Sequence, residues 1–320
     1  MANILEVKDL EVGFNLAKGR VTALHGVSLA LNKGERVALV GESGSGKTLL
    51  SLSILRLIEP PGEIRGGEVI FEGRDLMKLQ EEEIRKVRGN RIAMIFQEPL
   101  SALNPVLTIG YQVAEPFLVH TDISKNEALG KAKELLKLVS IADVDRVAAA
   151  YPHELSGGMR QRAMIAMALA LNPSLLLADE PTTALDVTLQ AQFIELLKEL
   201  QEKLSLTLLI VTHDFGVVAE IAERVLVIYG GMIVEEAPVK ELFADPRHPY
   251  TKGLLASIPK RGKNGKLKPI RGQVPPLGKF PSGCPFRDRC DFAKEKCAES
   301  VPRLTSDQSG HNVRCVLYGE

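Results

Sequence analysis

The chain has 320 residues, 45% of them hydrophobic and 25% charged, which suits two domains, or one large domain with an appendage, around a substantial core. Lys+Arg and Asp+Glu both count 40, so the balance gives no support to a broad nucleic-acid surface, which shows as a basic excess. The longest apolar run, Ala163 to Leu171, is about half of the roughly 20 residues a membrane-crossing helix needs. The opening MANILEVKDLEVGF lacks the basic-then-apolar pattern of a secretory signal, so any membrane role is expected to be peripheral.

In chain order, residues 4–14 alternate loosely and predict a strand. GERVALV at 34–40 predicts a short strand that runs into a glycine-rich turn, followed by a helix over 47–57. Further short, wholly apolar runs at 92–96, 175–178, 207–211 and 224–229 read as strands covered on both faces. Between 97 and 171 the period turns helical, with helices expected over 125–139 and 160–171. A strand, a helix over 189–203 and another strand then follow, so the core is expected to be α/β with a largely parallel sheet. Composition shifts near residue 245, dividing the chain into 1–245 and 246–320, with a helical insertion at about 98–171. The segment 259–283, rich in proline and glycine, reads as an irregular linker into a cluster that holds all four cysteines.

Three motifs carry chemistry. The first is Gly41-Glu-Ser43-Gly44-Ser45-Gly46-Lys47-Thr48. Its glycines let the backbone curl so that N–H groups face phosphate oxygens, and the helix that follows presents its N-terminus to the same anion. Lys47 can reach the β- and γ-phosphates of ATP, and the Thr48 hydroxyl can bind Mg²⁺. A strand before the turn and a helix after it argue against a chance glycine-rich turn.

The second motif, Leu175-Leu-Leu-Ala-Asp179-Glu180-Pro, ends an apolar strand in two acids. Asp179 is expected beside the Mg²⁺ and Glu180 is expected to orient or deprotonate the attacking water. The third is Leu155-Ser156-Gly157-Gly158-Met159-Arg-Gln-Arg162. Alone, it is a serine cap before a helix. In this order along the chain it resembles the signature motif of the ABC transporter ATPases, with Met159 where the family usually has Gln.

That resemblance implies an ABC-type P-loop ATPase core, a RecA-like parallel sheet plus an antiparallel β subdomain, with a helical subdomain and a small irregular cysteine-bearing extension. It implies that Ser156, Gly157 and Gly158 contact the γ-phosphate of ATP bound to an opposite subunit. Gln97 resembles the glutamine that senses Mg²⁺ and water, and Thr183-Ala184-Leu185-Asp186 the loop that crosses between subunits. His213 resembles the switch histidine, and Phe14, 27 residues before Gly41, the aromatic that stacks on adenine. An aromatic ending a first strand is also ordinary packing. Two subunits packed head to tail would clamp ATP, and hydrolysis would release the clamp.

Longer stretches narrow the branch: SALNPV at 101–106, YPHELSGGMRQR at 151–162, ADEPTTALDVTLQAQ at 178–192 and HPYTKGLLASIP at 248–259. They resemble dipeptide and oligopeptide importers through essentially the whole chain. The resemblance implies two transmembrane permease subunits, a second ATPase subunit that is usually a different chain, and an extracytoplasmic substrate-binding protein as indirect partner. It places the chain on the cytoplasmic face of the membrane. Relatives in this branch are also associated with nickel, glutathione and sugars. A soluble ABC ATPase acting on nucleic acid or ribosomes is the other class, disfavoured by a single cassette and a neutral balance. Cys284, Cys290, Cys297 and Cys315 could hold Zn²⁺ or an iron–sulfur cluster, or remain as thiols. Zinc sites usually pair cysteines two to four residues apart. The wider spacing here, with the importer resemblance, favours a 4Fe–4S cluster.

Overall fold

The computed structural model describes residues 3–17, 19–97, 102–183, 185–258, 269–307 and 310–319. The first residues of the expected helical insertion, Ser101 of SALNPV, Ala184, and residues 259–268 of the expected linker lie outside the described residues. Contacts divide the chain into two compact units. One joins 78–211 to residues 1–4 and 32–35, and the other joins 5–31, 36–77 and 212–320.

In the second unit, strands β1 (Asn3–Leu16), β2 (Gly19–Asn32), β4 (Gly62–Phe71) and β5 (Arg74–Asp75) make a small sheet in the order β2-β1-β4-β5. β1 runs antiparallel to β4, with Phe14 opposite Gly62. Val7, Leu10 and Val12 are buried on β1 and Leu24, Leu29 and Leu31 on β2, so each strand keeps one apolar face. Strand β3 (Arg36–Val40) pairs in parallel with β9 (Arg224–Tyr229). β9 then turns through Gly230 and Gly231 into antiparallel β10 (Met232–Pro238), which β12 (Asn312–Val313) and β11 (Thr305–Ser306) extend.

The first unit holds β6 (Ile92–Ile95), β7 (Leu175–Asp179) and β8 (Thr207–Thr212), paired in parallel in that order. Helices Ile109–His120, Lys125–Leu138 and Gly157–Ala168 pack on one another. The helix expected at 160–171 is shifted toward its N-terminus, because Ser156 caps it and starts it at Gly157. The 18-residue helix Val187–Leu204 buries Phe193, Ile194, Leu196, Leu197 and Leu200 on one side. No helix among the described residues is long and apolar enough to cross a membrane.

The extension is held to β10 by a buried carboxylate. Glu235, fully buried, accepts from the backbone N–H groups of Arg247 at 2.6 Å and His248 at 2.9 Å, and lies 2.7 Å from His311 Nε2. This satisfies a group that would be costly to bury alone. Residues 269–283 form no regular element, as their prolines and glycines predict.

His248 caps the helix Pro249–Ala256, its Nδ1 accepting from Tyr250 N–H at 3.1 Å. Burial, reinforced by Arg314, pushes its pKa down from the ordinary 6.5 to about 3. The unfolded chain therefore binds a proton on this ring at a higher pH than the folded one, and folding stability falls as pH drops from 6.5 toward 3. The urea midpoint should fall between about pH 7 and about pH 5, and His248→Asn, which keeps a capping side chain, should flatten that fall. An unchanged slope in the variant would locate the acid sensitivity elsewhere.

Candidate functional site

The second unit builds the glycine-rich loop expected to cradle phosphate. Strand β3 is buried from Val37 to Val40 and delivers the chain to Gly41. There a Cβ would lie 2.4 Å from the Ile228 carbonyl oxygen and 2.7 Å from Ser45 Oγ, so only glycine fits. Gly44 and Gly46 take φ of +78° and +106°, open to glycine without strain. The loop then enters the helix Lys47–Ile54 with Gly46 at its cap.

Lys47 is buried, and its Nζ donates to the carbonyls of Gly41 at 2.9 Å and Glu42 at 3.1 Å, so the ammonium folds across the mouth of its own loop. Ser45 Oγ is buried with no hydrogen-bond partner, a polar atom directed at nothing in the protein. Thr48 and Ser43 are exposed beside it, where a hydroxyl can serve a hydrated Mg²⁺. Phe14, half-buried, packs against Gly62 at the end of its strand. His213 is exposed just past β8, before Asp214 caps the helix Phe215–Ile221.

The first unit gathers the acids. Every residue of β7 is buried, including Asp179 at its end. Glu180 follows with φ +43°, a left-handed conformation that is strained for a side chain other than glycine. Its N–H donates to the Val211 carbonyl at 2.8 Å, fixing the backbone. Its carboxylate accepts from Gln97 Nε2 at 3.1 Å and from Thr183 Oγ1 at 3.0 Å. Gln97 and Glu180, 83 positions apart in the chain, therefore meet directly. Thr183 as a partner of Glu180 was not legible in sequence, since nothing in local spacing marks a threonine hydroxyl for a carboxylate three residues back.

Ser156 and Gly157 are exposed at the start of the helix Gly157–Ala168, with the Ser156 hydroxyl accepting from Met159 N–H at 3.4 Å. Gly158 faces Leu189, whose nearest methyl a Cβ would meet at 3.4 Å. The buried Gln161 side chain donates to the Pro181 carbonyl, joining this helix to the turn after Glu180. Asp186 caps the helix Val187–Leu204 by accepting from Leu189 N–H at 2.9 Å.

The four cysteines are all free thiols, and all line one small cavity with Phe286, Phe292 and Leu317. Phe292 N–H points to Cys290 Sγ and Lys294 N–H to Cys297 Sγ, each at 3.4 Å. Burial pushes Cys284 up to about 11, and raises Cys290 and Cys315 as well. Four sulfurs, backbone donors and an apolar wall fit the donor set of a thiolate-held metal centre. Among the described residues, however, no three such side chains stand close enough to grip an ion as placed.

Comparison with known proteins gives the family. The family described as ABC transporter matches residues 24–183, and the family described as oligopeptide/dipeptide transporter, C-terminal region, matches 234–297. The oligopeptide transport ATP-binding protein AppD of Bacillus subtilis is 50% identical over 100% of this chain and 98% of its own length. The oligopeptide transport ATP-binding protein OppD of the same species is 49% identical over 99% of this chain and 89% of its own. Among solved structures, a dimeric ATP-binding cassette in a post-hydrolysis state with ADP and Pi is 32% identical, with a TM-score of 0.66 over 73% of this chain and 98% of that one. With two family matches and relatives about half identical over essentially its full length, the chain belongs to the ABC transporter ATP-binding family, with an oligopeptide/dipeptide-transporter C-terminal region.

Proposed function

We propose that this protein is the ATP-hydrolysing subunit that powers import of dipeptides and oligopeptides through a membrane transporter. The observation that carries the reading is the Glu180 carboxylate, set in a strained backbone and held by Gln97 and Thr183 immediately after buried Asp179. A carboxylate so held is pre-oriented to direct a water molecule.

The remaining roles follow the chemistry of each group. Gly41, Ser43, Gly44, Ser45, Gly46 and Lys47 receive the phosphates, Thr48, Asp179 and Gln97 attend Mg²⁺, and Phe14 stacks on adenine. Mg²⁺ supplies charge neutralisation on the phosphate oxygens. His213 senses the γ-phosphate. Ser156, Gly157 and Gly158 offer a hydroxyl and a helix N-terminus to the nucleotide of a second ATPase subunit, and Asp186 belongs to the loop that meets that subunit. Functionally the chain divides near residue 245 into an ATP-binding part, with its helical subdomain over about 98–171, and an extension. Its partners are two permease subunits and a related, different ATPase, with a substrate-binding protein acting across the membrane, and it works from the cytoplasmic face.

Glu180→Gln should keep ATP affinity within about twofold while lowering turnover about 100-fold or more. Wild-type hydrolysis by that variant would remove Glu180 from its role. In reconstituted transporter, stimulation of the ATPase by sugars or nickel and not by short peptides would overturn the cargo.

The extension's thiol cavity is proposed to hold a 4Fe–4S cluster, with Zn²⁺ as the competing occupant of the same sulfurs. Because bound sulfurs are thiolates and burial raises the Cys284, Cys290 and Cys315 thiols, loading must release protons and should strengthen as pH rises. Anaerobically purified protein should contain about four irons per chain and lose them in a Cys290→Ser variant. Stoichiometric zinc without iron would reject the cluster.

A further inference from the structure

An ion pair between buried Arg289 and half-buried Glu42 joins the cysteine-bearing extension to the phosphate loop. Glu42 is the second residue of that loop, and its carbonyl accepts from Lys47 Nζ. Its N–H donates to Tyr250 Oη at 2.7 Å. Its carboxylate accepts a two-pronged bond from Arg289, Nη1 at 2.7 Å and Nη2 at 3.0 Å. The Arg289 side chain is only 5% exposed. Its Nε donates to the Arg271 carbonyl at 2.8 Å, and the guanidinium lies 5.7 Å from the Tyr229 ring and 5.8 Å from the Phe286 ring. The fork is thus fixed by stacking, by a backbone carbonyl and by Glu42 itself, unlike a surface pair that dissolves in salt.

The pair has a consequence for an anion site. A phosphate loop attracts its ligand with amide dipoles and a lysine, and a bare carboxylate within that loop opposes them. Arg289 cancels the charge and holds the Glu42 side chain toward the extension, while Tyr250 engages the same residue's backbone. We propose that Arg289 is a positioning residue for ATP, acting through Glu42 to keep the phosphate loop electrically and geometrically open to the nucleotide. The inference rests on the reading of residues 41–48 as the phosphate loop.

The test is ATP affinity of the full-length chain, titrated with a fluorescent ATP analogue and cross-checked by ATPase KM and kcat in the transporter. Arg289→Ala should weaken ATP about tenfold, chiefly in KM, and the loss should shrink as salt is raised. Arg289→Lys, which keeps the charge but not the fork, should fall between. The decisive variant is the double substitution Arg289→Ala with Glu42→Gln, which should recover affinity to within about threefold of the parent. Glu42→Gln alone, leaving Arg289 unpaired near the phosphates, should tighten ATP about threefold, and it tests the charge argument even if Arg289→Ala does not fold. Parental affinity in Arg289→Ala, a double variant as weak as the single, or a weakened Glu42→Gln would each overturn the proposal. Lys47→Ala separates the two readings: if it binds ATP as the parent does, the phosphate loop itself is misassigned.

Discussion

The tight loop of the second unit depends on how closely one backbone can approach another. At Gly41 the chain leaves β3 so near the Ile228 carbonyl that a methyl group would sit 2.4 Å from its oxygen. That approach lets the loop turn at once, with Gly44 and Gly46 taking positive φ to complete the curl. The neighbouring turn shows the same constraint: a Cβ on Gly231 would lie 1.9 Å from the Ala23 carbonyl oxygen, and the Gly231 N–H donates to the Ser45 carbonyl at 3.0 Å. A loop closed this tightly has little conformational freedom left to lose when an anion arrives, which is the energetic advantage of preorganisation.

The first unit uses strain rather than openness. Glu180 is forced into a left-handed backbone at the end of a fully buried strand, and its N–H bond to Val211 and side-chain bonds to Gln97 and Thr183 hold it there. Strain of this kind persists only where the surroundings over-determine it. Gln161, reaching from the Gly157–Ala168 helix to the Pro181 carbonyl, ties the exposed Ser156 start to the same turn.

The extension is built on different physics. Buried Glu235 collects donors from Arg247, His248 and His311, and the rings of Tyr229, Tyr250, Phe280 and Phe286 pack with centroids 4.6–6.1 Å apart. The aromatic cluster forms a rigid floor on which Arg289 stacks, one residue before Cys290. The thiol cavity and the phosphate loop are thus reached from the same short segment of chain.

Much of this was legible in the sequence because the chemistry is local. A glycine's φ, a strand that ends in two acids, and a serine cap are written within a few residues of the atoms they govern, so the tight loop at 41–48, the strand end at Asp179 and Glu180, and the Ser156 cap could be placed from spacing. Short apolar runs foretold β3, β6, β7, β8 and β9, because strands buried on both faces need no polar alternation. The second strand of the small sheet was not read, nor was the pairing of β1 with β4, whose partners run from Leu5 and Phe71 to Phe14 and Gly62 and lie too far apart to leave a local mark. Likewise, sequence could name Gln97 but not its bond to Glu180, and nothing in it paired Thr183 with Glu180 or Arg289 with Glu42. Those assignments depend on which side chains the folded backbone brings within about 3 Å of each other, and only tertiary structure decides that.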